Sequence, residues 1–151
     1  MSAAYVAALK LLARRELSEA QVRQRLARKG FEGDAVDEAI AKLKAERAID
    51  DARVAEAIAR TETAVKRRGK LRVRRRIESA GISSAEARRA VNEAFGDIDA
   101  DALLEAALAK RLRATASIKD DREFQRLYRY LIGQGFESDQ VIRILQRRRK
   151  P

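Results

Sequence analysis

The stretches Leu26-Ala27-Arg28-Lys29-Gly30-Phe31, Ile77-Glu78-Ser79-Ala80-Gly81-Ile82 and Leu131-Ile132-Gly133-Gln134-Gly135-Phe136 decide the fold, because they are one pattern written three times. Each has an apolar residue four before its central glycine and another directly after it. Reading outward, Val22, Val73 and Leu127 stand eight before the glycines, Val36, Ala87 and Val141 six after, and Ile40, Val91 and Leu145 ten after. The glycines are 51 and 54 residues apart. A period of about 50 residues marks tandem structural units.

Within a unit the apolar spacing is helical. Val22/Leu26 and Ile40/Leu43 fall at i, i+4 and i, i+3, and nothing alternates with period two. Each glycine sits where a helix end needs a left-handed residue, and the apolar residue after it closes a Schellman-type contact. Gly33, Ser84 and Ser138, three past the glycines, open the next helix, with the serines as N-caps and Ser83/Glu86 as a capping box. A further helix precedes each pair, over 4–15, 53–67 and 101–114, with stripes Leu9/Leu12/Ala13, Val54/Ile58/Val65 and Leu104/Ala107/Leu108/Leu112. Ser18, Gly69 and Asp120-Asp121 mark the start of the helix that follows. The reading is an all-α protein of three three-helix bundles, residues 1–49, 50–98 and 99–151, repeating head to tail as an elongated curved array. At the junctions Ile49-Asp50-Asp51 and Asp97-Ile98-Asp99, the aspartate caps the incoming helix and the isoleucine folds back on the bundle before it.

Composition agrees with helices. Of 151 residues 46% are hydrophobic, with seven aromatics, seven glycines and one proline, the last residue. The absence of cysteine removes disulfides and thiolate metal sites and suits a reducing cytoplasm. No run of 18 apolar residues exists to span a bilayer, and the start lacks the pattern of a secretory leader. With neither histidine nor cysteine, and no phosphate-binding glycine motif, the chain lacks the usual equipment of an enzyme. No cofactor or metal is expected, because the junction aspartates are accounted for by capping.

The formal charge of +11 is concentrated. Lys66-Arg67-Arg68-Gly69-Lys70-Leu71-Arg72-Val73-Arg74-Arg75-Arg76 has eight basic residues in eleven and no acid. On a helix starting after Gly69, Val73 and Ile77 face inward, Arg75 lies opposite, Arg72 and Arg76 flank one side and Arg74 the other. Like charges this dense disfavour the isolated helix, so stability does not explain the ridge. Guanidinium forks fit phosphates and carboxylates. A second cluster, Arg143 with Arg147, Arg148, Arg149 and Lys150, ends the chain and would add a flexible anionic contact. Tyr128 and Tyr130 interleave with Arg122, Arg126 and Arg129, a pattern that partial burial explains better than base stacking.

These features together resemble the RecX family, bacterial regulators of the RecA recombinase. The resemblance rests on 8–18 (ALKLLARRELS), Leu26 to Phe31, 49–55 (IDDARVA), Arg67-Arg68-Gly69-Lys70 and Ile77 to Ile82, and it covers nearly the whole chain. Val54 replaces a frequent phenylalanine, and Arg47-Ala48 a frequent glycine-aromatic pair. The resemblance implies a crescent lying in the groove of the RecA–DNA filament, restraining ATP hydrolysis, strand exchange and co-protease activity. The expected partners are the RecA filament and DNA, with no membrane and a monomeric chain. The rival reading is a stand-alone DNA-binding protein built of helix-turn-helix-like units.

Overall fold

A computed structural model of the chain describes residues 1–149; Lys150, expected in the terminal basic cluster, lies outside the described residues. Among the described residues the regular elements are helical: α1 (Ala3–Arg14), α2 (Glu19–Arg28), α3 (Gly33–Ala45), α4 (Asp51–Arg60) running into a π-helical turn (Thr61–Val65), α5 (Lys70–Ser79), α6 (Ser84–Phe95), α7 (Ala100–Leu108), α8 (Asp121–Gly133) and α9 (Ser138–Arg147). One isolated bridge pairs Ile118 with Arg149. The chain divides into two compact units: Met1–Ala57 with Ile77–Ala90, and Ile58–Arg76 with the residues from Val91 onward.

In the first unit, α1, α2 and α3 close on Ala4, Tyr5, Ala8, Leu17, Val22, Leu26, Val36, Ala39, Ile40, Leu43 and Ile49, all buried. Each of the first two helices has a side-chain device that starts it. Ser2 accepts from the Tyr5 amide, and Ser18 with Gln21 forms a complete capping box. At the end of α2 the Gly30 and Phe31 amides donate to the Ala27 and Leu26 carbonyls, the Schellman pair, with Gly30 at φ 93. Tyr5 donates from a buried ring to the Glu46 carboxylate at 2.8 Å, which raises the phenol's pKa, and Lys42 lies 4.3 Å over the ring. Asp50 accepts from the Arg53 amide at 3.2 Å and Ile49 packs into the bundle before it, as the junction reading expects.

In the second unit, α7, α8 and α9 enclose Leu104, Ala107, Leu108, Leu112, Ile118, Leu127, Leu131, Phe136, Val141, Ile144 and Leu145. Asp99 caps α7 and Asp120 caps α8. Gly135, at φ 100, repeats the Schellman bonds of Gly30 through Ile132 and Leu131. Tyr128 and Tyr130 are bonded within the bundle, to the Ser138 hydroxyl at 2.9 Å and the Ala107 carbonyl at 3.4 Å, and both pack against its core.

Four expectations need correction. The N-caps lie two residues past the glycines, at Glu32, Ser83 and Glu137; Ser84 and Ser138 are first helical residues, while Ser83 accepts from the Glu86 amide. The inward stripe of α1 is Ala4, Tyr5 and Ala8, leaving Leu9 and Ala13 exposed. Helix α7 ends at Leu108 instead of near Ala114, although Leu112 is buried as expected. Val65 is 72% exposed: the i→i−5 turn at Thr61–Val65 changes the rotation per residue, so it no longer shares a face with Val54.

Candidate functional site

The cationic segment is shaped by its backbone before its side chains. The π-helical turn ends at Lys66, Arg67 adopts a left-handed φ of 55, and the Arg68 amide donates to the Glu62 carbonyl at 2.8 Å. The next two bonds are long-range: Gly69 N–H donates to the Gln134 carbonyl at 2.9 Å and Leu71 N–H to the Gly135 carbonyl at 3.0 Å. Gly69 is needed for that approach, because a Cβ there would stand 2.5 Å from the Gly135 carbonyl carbon and oxygen. Helix α5 then starts at Lys70, with Val73 and Ile77 fully buried. Its inward face is as the sequence predicts.

The structure gives the arginines and lysines of the segment different positions. Lys66, Arg67, Lys70, Arg75 and Arg76 are exposed, whereas Arg68, Arg72 and Arg74 are half-buried. Lys66 pairs with Glu62 at 3.2 Å, a carboxylate that is itself buried, and Arg72 donates to the Gly133 carbonyl at 3.0 Å. Lys70 lies 5.7 Å over the Phe95 ring. Lys66, Arg68, Arg72, Arg75 and Arg76 line one cleft of about 400 Å³ with Glu62 and Gly133. Five cations against one carboxylate make it strongly electropositive. Glu62 and Gly133 complete its lining, and the sequence marks neither as functional.

Residues 4–43 match the model of the RecX first three-helix domain, and residues 98–145 that of the RecX third three-helix domain. The chain is 32% identical over 136 residues to the regulatory protein RecX of Syntrophotalea carbinolica, covering 89% of each chain. The chain belongs to the RecX family. It is also 31% identical to the regulatory protein RecX of Halorhodospira halophila, over 89% of this chain and 81% of that one. The fold is similar to the crystal structure of RecX from Lactobacillus salivarius, with a TM-score of 0.79, 25% identity and coverage of 95% and 93%. The two matched RecX domains lie on either side of the cationic segment in the sequence, so their likeness does not depend on its charge.

Two C-terminal arginines of this RecX-family chain, Arg148 and Arg149, are engaged with neighbouring residues of the second unit. Arg148 donates to the Ala116 and Arg113 carbonyls and pairs with Glu105 at 3.3 Å, while its own carbonyl accepts from Ile118 at 2.7 Å. Arg149 pairs with Asp121 and lies 5.4 Å over the Phe124 ring. A flexible basic tail therefore does not describe Arg148 and Arg149, because hydrogen bonds hold them against the loop before α8 and its first turn. Arg147 is exposed. Among the described residues no group of acids stands close enough to hold a metal ion, and no helix is long and apolar enough to cross a membrane.

Arg143 forms a two-pronged pair with Asp101, at 2.9 and 3.0 Å, and Gln140 adds a third bond. Hydrogen bonding from Arg143 first, then from Gln140, lowers the Asp101 pKa from 3.8 to about 2. The ionised carboxylate is the form the fold prefers, so its stabilising effect is whole above pH 3.8 and fades as the pH falls toward about 2. Urea midpoints measured across that window should fall less steeply for Asp101→Asn than for the parent chain. Parallel curves would show that the pair contributes nothing to acid stability.

Proposed function

We propose that the chain modulates RecA by occupying the groove of the RecA–DNA filament, limiting ATP hydrolysis, strand exchange and co-protease activity without chemistry of its own. In this reading residues 1–49, 50–98 and 99–151 are three successive units of the array. The middle one presents Lys66, Arg67, Arg68, Lys70, Arg72, Arg74, Arg75 and Arg76 to DNA phosphates or filament carboxylates. Arg147, Arg148, Arg149 and Lys150 would add to that charge in this reading; Arg147 is exposed, while Arg148 and Arg149 are engaged with the loop before α8 and its first turn.

The observation that carries the reading is the electropositive cleft in a chain of the RecX family. One buried carboxylate stands among five cations, and Arg75 is open to solvent. Weak contacts repeated along a filament add by avidity, so no single tight pocket is required. The charge-reversed pair Arg75→Glu/Arg76→Glu leaves Val73 and Ile77 in place. It should weaken inhibition of RecA's DNA-dependent ATPase by about an order of magnitude, because two attractive contacts become repulsive. A folded double variant that inhibits like the parent would remove the segment from the interface. Tight binding of bare DNA that RecA and nucleotide leave unchanged would favour the stand-alone DNA-binding reading instead.

A further inference from the structure

Arg68 is the residue of the cationic segment whose charge is least provided for. Its Nε and Nη1 are sealed from solvent and have no hydrogen-bond partner, and no ion pair to its guanidinium exists among the described residues. A guanidinium is a fork of donors, and sealing part of it without an acceptor is costly unless an anion lies beside it. The main chain that carries Arg68 is tied down on both sides. Its own amide is held by the Glu62 carbonyl, the next amide by the Gln134 carbonyl, and Gly69 abuts Gly135 too closely to shift. Its side chain lines the cleft shared with Lys66, Arg72, Arg75 and Arg76.

We infer that this cleft is a phosphate site, with Arg68 as its fixed anchor and Arg72, Arg75 and Arg76 closing on the oxygens of the same group. Several observations select a phosphate over a carboxylate. The cleft already contains a carboxylate, Glu62, and that group is committed to Lys66 at 3.2 Å and to a buried position. Guanidinium groups in excess around one point suit a tetrahedral oxyanion that accepts from several sides at once. Arg72 is already steered to the rim by its bond to the Gly133 carbonyl, leaving its other donors for the cleft. The phosphate can be a backbone phosphodiester or a free phosphate group. The inference deepens the filament reading by assigning phosphate chemistry to one point of the proposed face, but it does not require RecA to be measured.

The experiment uses inorganic phosphate as the probe, with the full chain and neither RecA nor DNA. Thermal unfolding is followed against phosphate in place of chloride at constant ionic strength, together with the 15N-labelled arginine Nε–H resonances. Phosphate should raise the midpoint in a saturable way and shift the Arg68 Nε–H signal. Arg68→Met should lower the apparent phosphate affinity by about tenfold or more, the cost of losing charge-assisted hydrogen bonds. Arg129→Ala, outside the cleft, should leave the response intact. Should Arg68→Met not fold, Arg68→Lys serves, keeping the charge but not the fork, and should weaken the response in the same direction. An unresponsive parent chain, an equal response in the Arg68 variants, or the same gain from succinate would each overturn the inference. A single-stranded oligonucleotide that competes with phosphate for the Arg68 signal identifies the phosphodiester source; phosphate binding that the oligonucleotide leaves untouched identifies a free phosphate group. Because failure here would leave ATPase inhibition unaltered, the two readings fail separately.

Discussion

Gly135→Ala should be the most damaging of three substitutions at one repeated position, lowering stability by about 3–5 kcal/mol as backbone strain and overpacking add. Gly30, Gly81 and Gly135 share the same place in the repeat, and all three have positive φ, 93, 81 and 100. An alanine at any of them must hold a left-handed backbone, which costs about 1–2 kcal/mol at Gly30, where nothing lies within 4 Å of the added methyl. At Gly81 the methyl would fall on the Ala20 Cβ, a short side chain that can yield only if α2 moves. At Gly135 it would fall on the Arg72 Cβ and backbone nitrogen, in the first turn of α5, where the main chain itself must shift. The order of cost is therefore Gly30, then Gly81, then Gly135, and urea unfolding reads it directly if the slope with denaturant stays constant. Equal costs at Gly30 and Gly135 would mean that φ alone governs the position. The consequence for function is direct, because Arg72 lines the proposed phosphate cleft and is displaced by the same methyl.

This gradient also separates what the sequence reveals from what it withholds. The need for φ above zero is local, so it leaves a glycine, and the apolar residues at fixed distances show which faces are inward: Leu26, Ile77 and Leu131 are all fully buried. Which glycine is crowded depends on residues about 60 positions away, and no local pattern records that. The same holds for the site. The density of basic residues at 66–76 is visible in the sequence, but the difference between Arg75, exposed, and Arg68, partly sealed without a partner, is made by the π-helical turn and by Gly69 lying against Gly135. A π-helical turn follows from no propensity rule applied to Thr61-Glu62-Thr63-Ala64-Val65. In the structure Thr63 donates to the Ala59 carbonyl at 2.8 Å, which accompanies the widened turn. The inward stripe of α1 escapes the sequence for a simpler reason. Leucines outrank alanines in any apolar pattern, but Ala4 and Ala8 are the buried residues of α1 and Leu9 is left exposed.

Ser18→Ala should lower stability by about 2–4 kcal/mol, well beyond the loss from an ordinary exposed cap, because it removes a cap and leaves a buried carbonyl unpaired. Ser18 is fully buried. Its Oγ accepts from the Gln21 amide at 3.1 Å and donates to the Ala80 carbonyl, one residue before Gly81. Twelve residues before Gly81 stands Gly69, where Ser18 stands before Gly30, and its amide donates to the Gln134 carbonyl, one residue before Gly135. Two chemically different residues thus act alike, each using the start of the second helix in its repeat to hold the turn of the repeat that follows. Serine does it with a hydroxyl, which leaves room for a side chain, while Gly69 does it with a bare backbone, which permits the closer approach. In the third repeat the corresponding residue is Glu123, inside an α8 that begins earlier, and its amide is taken by Asp120 at 2.8 Å. The device therefore stops there. Ser2→Ala, which removes the exposed cap of α1, is the proper comparison, and it should cost about 1 kcal/mol. If urea midpoints place Ser18→Ala level with Ser2→Ala, the bond to Ala80 contributes nothing, and apolar packing alone must hold each turn against the helix before it.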